Sequence, residues 1–305
     1  MVSLSLILPI HNAVSTICRC LDSIITQYRS DFEVILVDDG STDGSTKICA
    51  EYCNVDPRFM LLYQDNHGVS SARNHGLLEA RGEVISFVDA DDYLSPTYTN
   101  RLLAEFEQRD ADVVFFGYYR VMNNGCYVER HIPTLDKAGF LPSMLKLSAD
   151  NMFGYTWIKA YRRSAIGHVR YQEDISLFED EVFTCQVLKD SRRISAIPEP
   201  LYYYVVSETG SLSSEPRSDY CFFRDKIFHA WQDMLSDEQN KEKVLTAVAE
   251  GCLQASTFYW KKHDLNEQVF FRCLQNSSFV RYLILNHSRL EKDFPREVRS
   301  MFERE

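Results

Sequence analysis

Ser3 to Ile10 is a short apolar run ending at Pro9-Ile10, the pattern of a strand buried on both faces. Val14, Ile17, Cys18, Leu21, Ile24, Ile25 and Tyr28 then recur at three- and four-residue steps, which predicts one face of a helix. Val34 to Val37 is a second buried strand, followed by the turn Asp38-Asp39-Gly40-Ser41. A helix over 45–53, a strand over 59–63 and a helix over 70–80 come next, with Gly82 as a stop signal. Val84 to Val88 is a fourth strand, ending in Asp89-Ala90-Asp91-Asp92, and Pro96 to Gln108 is helical. Strands alternating with helices in this way predict an α/β fold, a Rossmann-like, mostly parallel sheet flanked by helices on both faces.

The middle of the chain is mixed. Val113–Tyr119 reads as a strand, and Asn124-Gly125 is a turn signal that suits a hairpin. Residues 138–148 and 179–189 read as helices, and Ile194–Ile197 and Leu201–Val206 as two strands. The stretch 207–218 reads as a loop or linker, and from Tyr220 onward the pattern is helical. The expected organisation is a catalytic domain over 1–214, divided into halves 1–95 and 96–214, and a helical C-terminal extension over 215–305. Within the extension, Phe222, Phe223, Ile227, Trp231 and Leu235 form a candidate core stripe. Phe258 to Lys262 combines aromatics with lysines, which suits either a packed helical cap or a lipid interface.

Composition narrows the class. The chain has 305 residues, 45% hydrophobic and 25% charged, as in globular proteins. Its net charge of -11 excludes a general nucleic-acid binder, which needs a basic face. Nearly all of the acidic excess lies in residues 1–214. The nine cysteines lack the spacing of a zinc site and read as reduced, mostly buried thiols of a cytoplasmic protein. No stretch has the length and apolarity of a membrane span, and the first residues lack the basic region of a signal peptide.

In an open parallel sheet, ligands bind at the carboxyl ends of the strands. Three such ends carry unusual polar groups: Pro9-Ile10-His11-Asn12, Asp38-Asp39-Gly40-Ser41 and Asp89-Ala90-Asp91-Asp92. Asp89, Asp91 and Asp92 repel one another, which a hard divalent cation relieves, although acidic turns also serve as helix caps. Asp38 and Asp39 suit either a base N–H or ribose hydroxyl, or a tight turn in which Ser41 or Thr42 caps the next helix. Arg73, near the start of a helix, either balances this acidic cleft or lies on the surface.

The ordered set, Pro9–Asn12, Leu21–Ser23 with Gln27, Val34–Asp43, Gly68–Asn74 with Gly76, and Val84–Asp92, resembles the inverting glycosyltransferase family 2, with its GT-A fold. His11 departs from the usual tyrosine, a change compatible with packing or base stacking. The resemblance implies that Asp39 and Arg73 contact a nucleotide base, with Asp38, Pro9, His11 and Asn12 close by. It implies Asp89 near the ribose and Asp91 on a divalent cation, Mn²⁺ or Mg²⁺, that bridges the diphosphate.

Further on, Trp157–Arg162 resembles a Trp–Lys block of bacterial polysaccharide members, and Phe178–Phe183 their acidic base motif. Asp180 is the implied general base with Glu179 in support, although acids in a first helical turn also favour the helix dipole. Tyr202-Tyr203-Tyr204 reads mainly as packing. The implied reaction moves a sugar, from UDP-sugar by the family's habit, to a glycan or lipid-linked oligosaccharide. Peripheral attachment to the inner face of the cytoplasmic membrane and self-association are both compatible with it. Two other classes of protein fit these residues less well. A nucleotidyltransferase carries a Gly-rich phosphate loop where this chain has Pro9–Asn12, and an inactive relative loses Asp91 or Asp180, both present here.

Overall fold

The computed structural model describes residues 2–122, 125–132, 144, 147, 152–206, 217–238, 241–263 and 266–286. The helix expected over 138–148 falls outside them save for two residues, and Asn124 and most of the expected linker also lie outside.

The chain separates into two compact units, 1–143 with 154–209, and 144–153 with 210–305. The first is built on β1 (Leu4–Ile10), β2 (Phe32–Asp39), β3 (Phe59–Gln64) and β4 (Val84–Phe87). They pair in parallel in the order β3-β2-β1-β4. β1 and β2 are buried almost without interruption, which is why they read as continuous rather than alternating apolar runs. Three helices connect these strands: α1 (Ile17–Ile25), α2 (Ser45–Val55) and α3 (Val69–Glu79). The buried face of α1 is Ile17, Cys20, Leu21 and Ile24. Val14, Cys18 and Tyr28, assigned to that face from their spacing, are exposed, because Val14 and Tyr28 lie beyond the helix ends and Cys18 is rotated away.

After β5 (Tyr93–Leu94) and α4 (Tyr98–Arg109), the second half of the unit adds β6 (Val113–Val121), β7 (Tyr127–Arg130), β8 (Lys159–Arg162), α5 (Arg163–Ile166), α6 (Glu179–Asp190) and β9 (Ile194–Val205). The full sheet runs β3-β2-β1-β4-β8-β6-β9-β5, with β7 on β6 as the expected hairpin. It is mixed: β8 runs antiparallel to both neighbours, and β6 pairs with β9 in parallel.

β9 corrects the expectation of two separate strands. The segment passes through Pro198 and Pro200 as one strand, and the pairing with β6 shifts register on either side of Gly117. A Cβ on Gly117 would come within 2.7 Å of the Arg130 and Pro198 carbonyl oxygens, so only glycine allows that irregular approach.

β9 is also tied to the turn after β4. The Asp89 N–H donates to the Tyr202 hydroxyl at 3.0 Å, and that hydroxyl donates to the Asp92 carboxylate at 2.8 Å. The second Asp92 oxygen accepts the Val205 N–H at 2.8 Å. Asp92 is 1% exposed and Tyr202 fully buried, so Asp92 serves the fold rather than an open cleft.

The second unit contains α7 (Tyr220–Met234), α8 (Lys241–His263), α9 (Glu267–Asn276) and α10 (Ser278–Asn286). Phe223, Ile227, Trp231 and Leu235 are buried as the stripe predicts, whereas Phe222 is exposed. Tyr259 stacks on Tyr220 and Trp260 on Phe270, leaving Phe258 outward. No helix among the described residues is long and apolar enough to cross a membrane.

Tyr202→Phe removes the hydroxyl that relays between Asp89 and Asp92 and leaves a buried carboxylate oxygen without its donor. Urea unfolding is expected to show a loss of about 1–3 kcal/mol, with no change in m-value.

Candidate active site

Parallel pairing brings the ends of β1, β2 and β4 to one sheet edge, and the loops there are stitched together by side chains. His11 Nδ1 lies 2.7 Å from the Asp39 carbonyl oxygen, which can only accept, so Nδ1 carries the hydrogen. Its Nε2 then accepts from the side-chain amides of Asn12 at 3.0 Å and Asn66 at 3.4 Å. Asn12 holds a left-handed backbone, φ 50°, where asparagine is tolerated. Its N–H donates to Ser41 Oγ, and its Oδ1 accepts the Thr42 N–H. His11 and Asn12 remain exposed at the rim.

Asp38 and Asp39 divide their work. Asp38 accepts from Ser41 N and from the Thr46 hydroxyl, which closes the β2–α2 turn. The caps expected from Ser41 or Thr42 do not form: Gly44 is the N-cap of α2, and Asp43 accepts from Ser45 instead. Asp39 reaches across to the β3–α3 loop. It accepts from Gln64, His67 N and Gly68 N, each at 2.8 Å. The adjacent acids therefore fix two different loops around one edge.

Arg73 is the centre of the site. It is 5% exposed, and its guanidinium donates to Glu179 Oε1 at 2.8 Å and lies 3.4 Å from Asp89 Oδ1. It also sits over the Tyr171 ring, 5.2 Å from the centroid. Its buried Nε makes no hydrogen bond. Arg73 thus stands on the two acids that flank the cleft, one at the end of β4 and one at the start of α6. Sequence spacing gave no sign of the Glu179 contact, because 106 positions separate the partners.

Asp91 differs from its neighbours. It is exposed, and among the described residues no side chain donates to its carboxylate. Although Asp91 is exposed, partial loss of hydration at the loop raises its affinity for a proton against the charge of Arg19; loss of hydration and the charge of Asp91 do the same at Asp89 against the pull of Arg73. No cluster of three His, Cys, Asp or Glu among the described residues could hold a metal unaided. One free carboxylate suits a hard cation whose remaining ligands are phosphate oxygens and water.

Across the cleft, α6 begins at Phe178, held in the left-handed region at φ 65° without a side-chain cap. Such a backbone is strained for an aromatic residue, and strain of this kind concentrates at functional positions. It is followed by Glu179, Asp180 and Glu181 in the first turn, where the helix dipole favours anions. Asp180 is half-buried, and its Oδ1 accepts the Glu181 N–H at 2.8 Å. Burial and then the charge of Glu179 push its carboxyl up to about 7, against Arg73 and Lys159. Gly154 lies alongside: a Cβ there would sit 3.3 Å from Glu181 Cβ and 3.6 Å from Asp180 Oδ1.

Two features of this wall carry no periodic signal. Tyr155, Trp157 and Tyr204 stack successively, with centroids 4.9 and 5.1 Å apart, and Tyr202 lies 4.8 Å from Trp157. Lys159 is completely buried on β8 and donates to the Tyr155 carbonyl. Burial weakens its ammonium's hold on the proton, opposed by the negative charges of Asp180 and Glu181.

A mixed sheet with its acids gathered at one edge is the architecture of the GT-A nucleotide-sugar enzymes. The chain belongs to glycosyl transferase family 2, whose model matches residues 5–170. It is 35% identical over 206 residues to an uncharacterized glycosyltransferase, EpsJ, of Bacillus subtilis, covering 66% of this chain and 60% of that one. It thus spans about 60% of that relative's length. Among solved structures, residues 1–349 of TarS of Staphylococcus aureus in complex with UDP-GlcNAc superpose with TM-score 0.74 at 22% identity. That match covers 92% of this chain and 81% of that one. A mannosyltransferase of Pyrobaculum calidifontis, PcManGT, in complex with GDP-Man and Mn²⁺ superposes with TM-score 0.55 at 14% identity. There the match covers 99% of this chain and 88% of that one.

Arg73→Met leaves Asp89 and Glu179 facing each other without the cation between them. Denaturant unfolding is expected to show a loss of about 3–5 kcal/mol; a loss below about 1 kcal/mol would mean the acids do not depend on Arg73.

Proposed function

We propose that the chain transfers a sugar from a nucleotide-diphosphate donor, a UDP-sugar, to a hydroxyl of a glycan or lipid-linked oligosaccharide, with inversion at the anomeric carbon. The observation that carries the reading is the bridge from the β4 turn through Arg73 to the first turn of α6. It joins Asp89, the acid beside Asp91, to Glu179, the neighbour of the candidate base Asp180. UDP-GlcNAc is the first donor to try, since a TarS crystal structure contains it.

In this reading the exposed His11 ring stacks on the base, with Pro9 and Asn12 shaping the rim. Asp39 orders the loop that receives the base, and Asp38 keeps the adjoining turn closed. Asp89, held by Arg73, meets the ribose. Asp91 would hold a divalent cation, Mn²⁺ or Mg²⁺. When bound, that ion neutralises charge on the departing diphosphate. Residues 1–214 supply the catalytic domain, and 215–305 form its helical extension. A lipid-linked acceptor would bring the reaction to the inner face of the cytoplasmic membrane.

The proton step falls to Asp180. An acceptor hydroxyl is a weak nucleophile near neutral pH, and a carboxylate beside it takes the proton as the new C–O bond forms. The bond from the anomeric carbon to the diphosphate breaks on the opposite side, so the centre inverts and the nucleoside diphosphate leaves. A carboxyl whose midpoint burial has raised to about 7 is a far better proton acceptor than an exposed aspartate, provided it is ionised when the acceptor arrives.

Two experiments test this. Calorimetric titration of UDP with and without Mn²⁺ should show metal-dependent binding that Asp91→Ala removes; equal binding without metal would refute the role given to Asp91. UDP-GlcNAc turnover by Asp180→Asn should fall about 10³-fold. The wild-type rate should rise with pH through about 7, because raising the pH ionises the base. A flat profile, or turnover retained in Asp180→Asn, would remove Asp180 from the proton step.

A further inference from the structure

A buried lysine is costly: its ammonium loses hydration and must find acceptors among protein atoms. Lys159 is 0% exposed, yet among the described residues its ammonium reaches one hydrogen-bond acceptor, the Tyr155 carbonyl. Its other near neighbour is the face of Phe115, with the ring centroid 5.3 Å away. Replacing a poorly bonded buried cation with a hydrophobe of similar volume tends to be neutral or stabilising. Stability of the β8 core therefore gives no reason for a lysine here.

The surroundings give one. Lys159 Nζ holds the carbonyl of Tyr155, and the preceding residue, Gly154, is the backbone that lies against the Asp180 carboxyl and Glu181. The lysine thus pins the segment that forms one wall of the Asp180 site. Its ammonium interacts with the charges of Asp180 and Glu181. The groups facing Asp180 are Glu179 and Glu181 from α6, Arg73 from α3 with Asp89 beyond it, Lys159 from β8, and the phenols of Tyr155, Tyr161 and Tyr171. Of these, Arg73 is engaged by Glu179 and Asp89, each of which takes part of its charge. Lys159 makes no ion pair among the described residues, and Cys185 is the remaining group beside it.

We propose that Lys159 is a positioning residue for Asp180: its buried ammonium fixes the Tyr155 wall and, beside Arg73, adds positive charge that favours the ionised carboxylate as an acceptor hydroxyl approaches. This deepens the reading of Asp180 as base and rests on it. Lys159 touches neither donor nor acceptor in this role. It acts from behind, through the field at the carboxyl and the place of the Gly154–Tyr155 backbone.

The test is the titration of Asp180 itself. The full-length protein is labelled with carbon-13 at the aspartate side-chain carboxyls, and Asp180→Asn identifies the resonance. In Lys159→Met and in Lys159→Gln, which keeps a donor for the Tyr155 carbonyl, the pH of half-ionisation should move up by about one unit or more. The acid limb of UDP-GlcNAc turnover should move with it, and thermal melting should stay near that of the wild type. An unmoved midpoint in both variants overturns the proposal. A shift in Lys159→Met that Lys159→Gln abolishes overturns the role of the charge and assigns the effect to the hydrogen bond alone. Turnover retained in Asp180→Asn is a different failure: the base reading falls, while the carboxyl titration still decides whether Lys159 governs Asp180.

Discussion

The guanidinium of Arg73, between Asp89 and Glu179, is the contact on which the site depends. Asp89 belongs to the turn after a central strand, Glu179 to a helix more than a hundred residues later in the sequence, and nothing local brings them together. Two carboxylates facing one cleft repel unless a cation stands between them. Arginine suits that place, because its planar fork offers donors in two directions and keeps its charge when buried. Most of the site's remaining arrangement follows from this contact: α3 must present residue 73 inward, and α6 must begin where Phe178 forces it to begin.

The parallel strands were legible because they are buried on both faces, and an unbroken apolar run needs no partner to be recognised. Residues with mainly local duties could also be read: Asp89 and Asp91 follow a strand, and the acids of 179–181 open a helix. What spacing could not give was the division of labour among like residues. Asp38 and Asp39 are adjacent, yet one closes its own turn and the other orders the next loop. Asp91 and Asp92 are adjacent, yet one is exposed and the other is sealed under Tyr202. These differences come from strands that arrive from elsewhere in the chain, β9 above all. The two strands expected on either side of Pro198 proved to be one, because an irregular pairing opposite Gly117 accommodates the prolines that sequence rules treat as breaks.

Lys159 belongs to the Trp–Lys block read from the sequence, but its burial and contacts are not legible there, for a related reason. A lysine in an otherwise apolar strand suggests an edge or an end. Here β8 lies between β4 and β6, and the side chain points into the protein. The signal that could have exposed it is the mismatch itself: a charged residue in the middle of Trp157–Tyr161, where each neighbour is apolar, aromatic or small. A conflict between local pattern and global burial marks positions kept for something other than stability.

The acidity of residues 1–214 then acquires a physical meaning. Asp89 feels the charges of Asp91 and Glu179, and Asp180 those of Glu179 and Glu181, and loss of hydration makes each further negative charge there harder to hold. Two buried cations, Arg73 and Lys159, offset part of that strain from within the protein. On the Asp91 side, Arg19 donates to the Asp91 carbonyl oxygen and its charge acts on the carboxylate. The acids on both sides thus have cations within the protein, Arg73 and Lys159 toward α6 and Arg73 and Arg19 toward β4. If the donor arrives with a divalent cation, as proposed, that ion would offset the charge that a diphosphate adds beside Asp91.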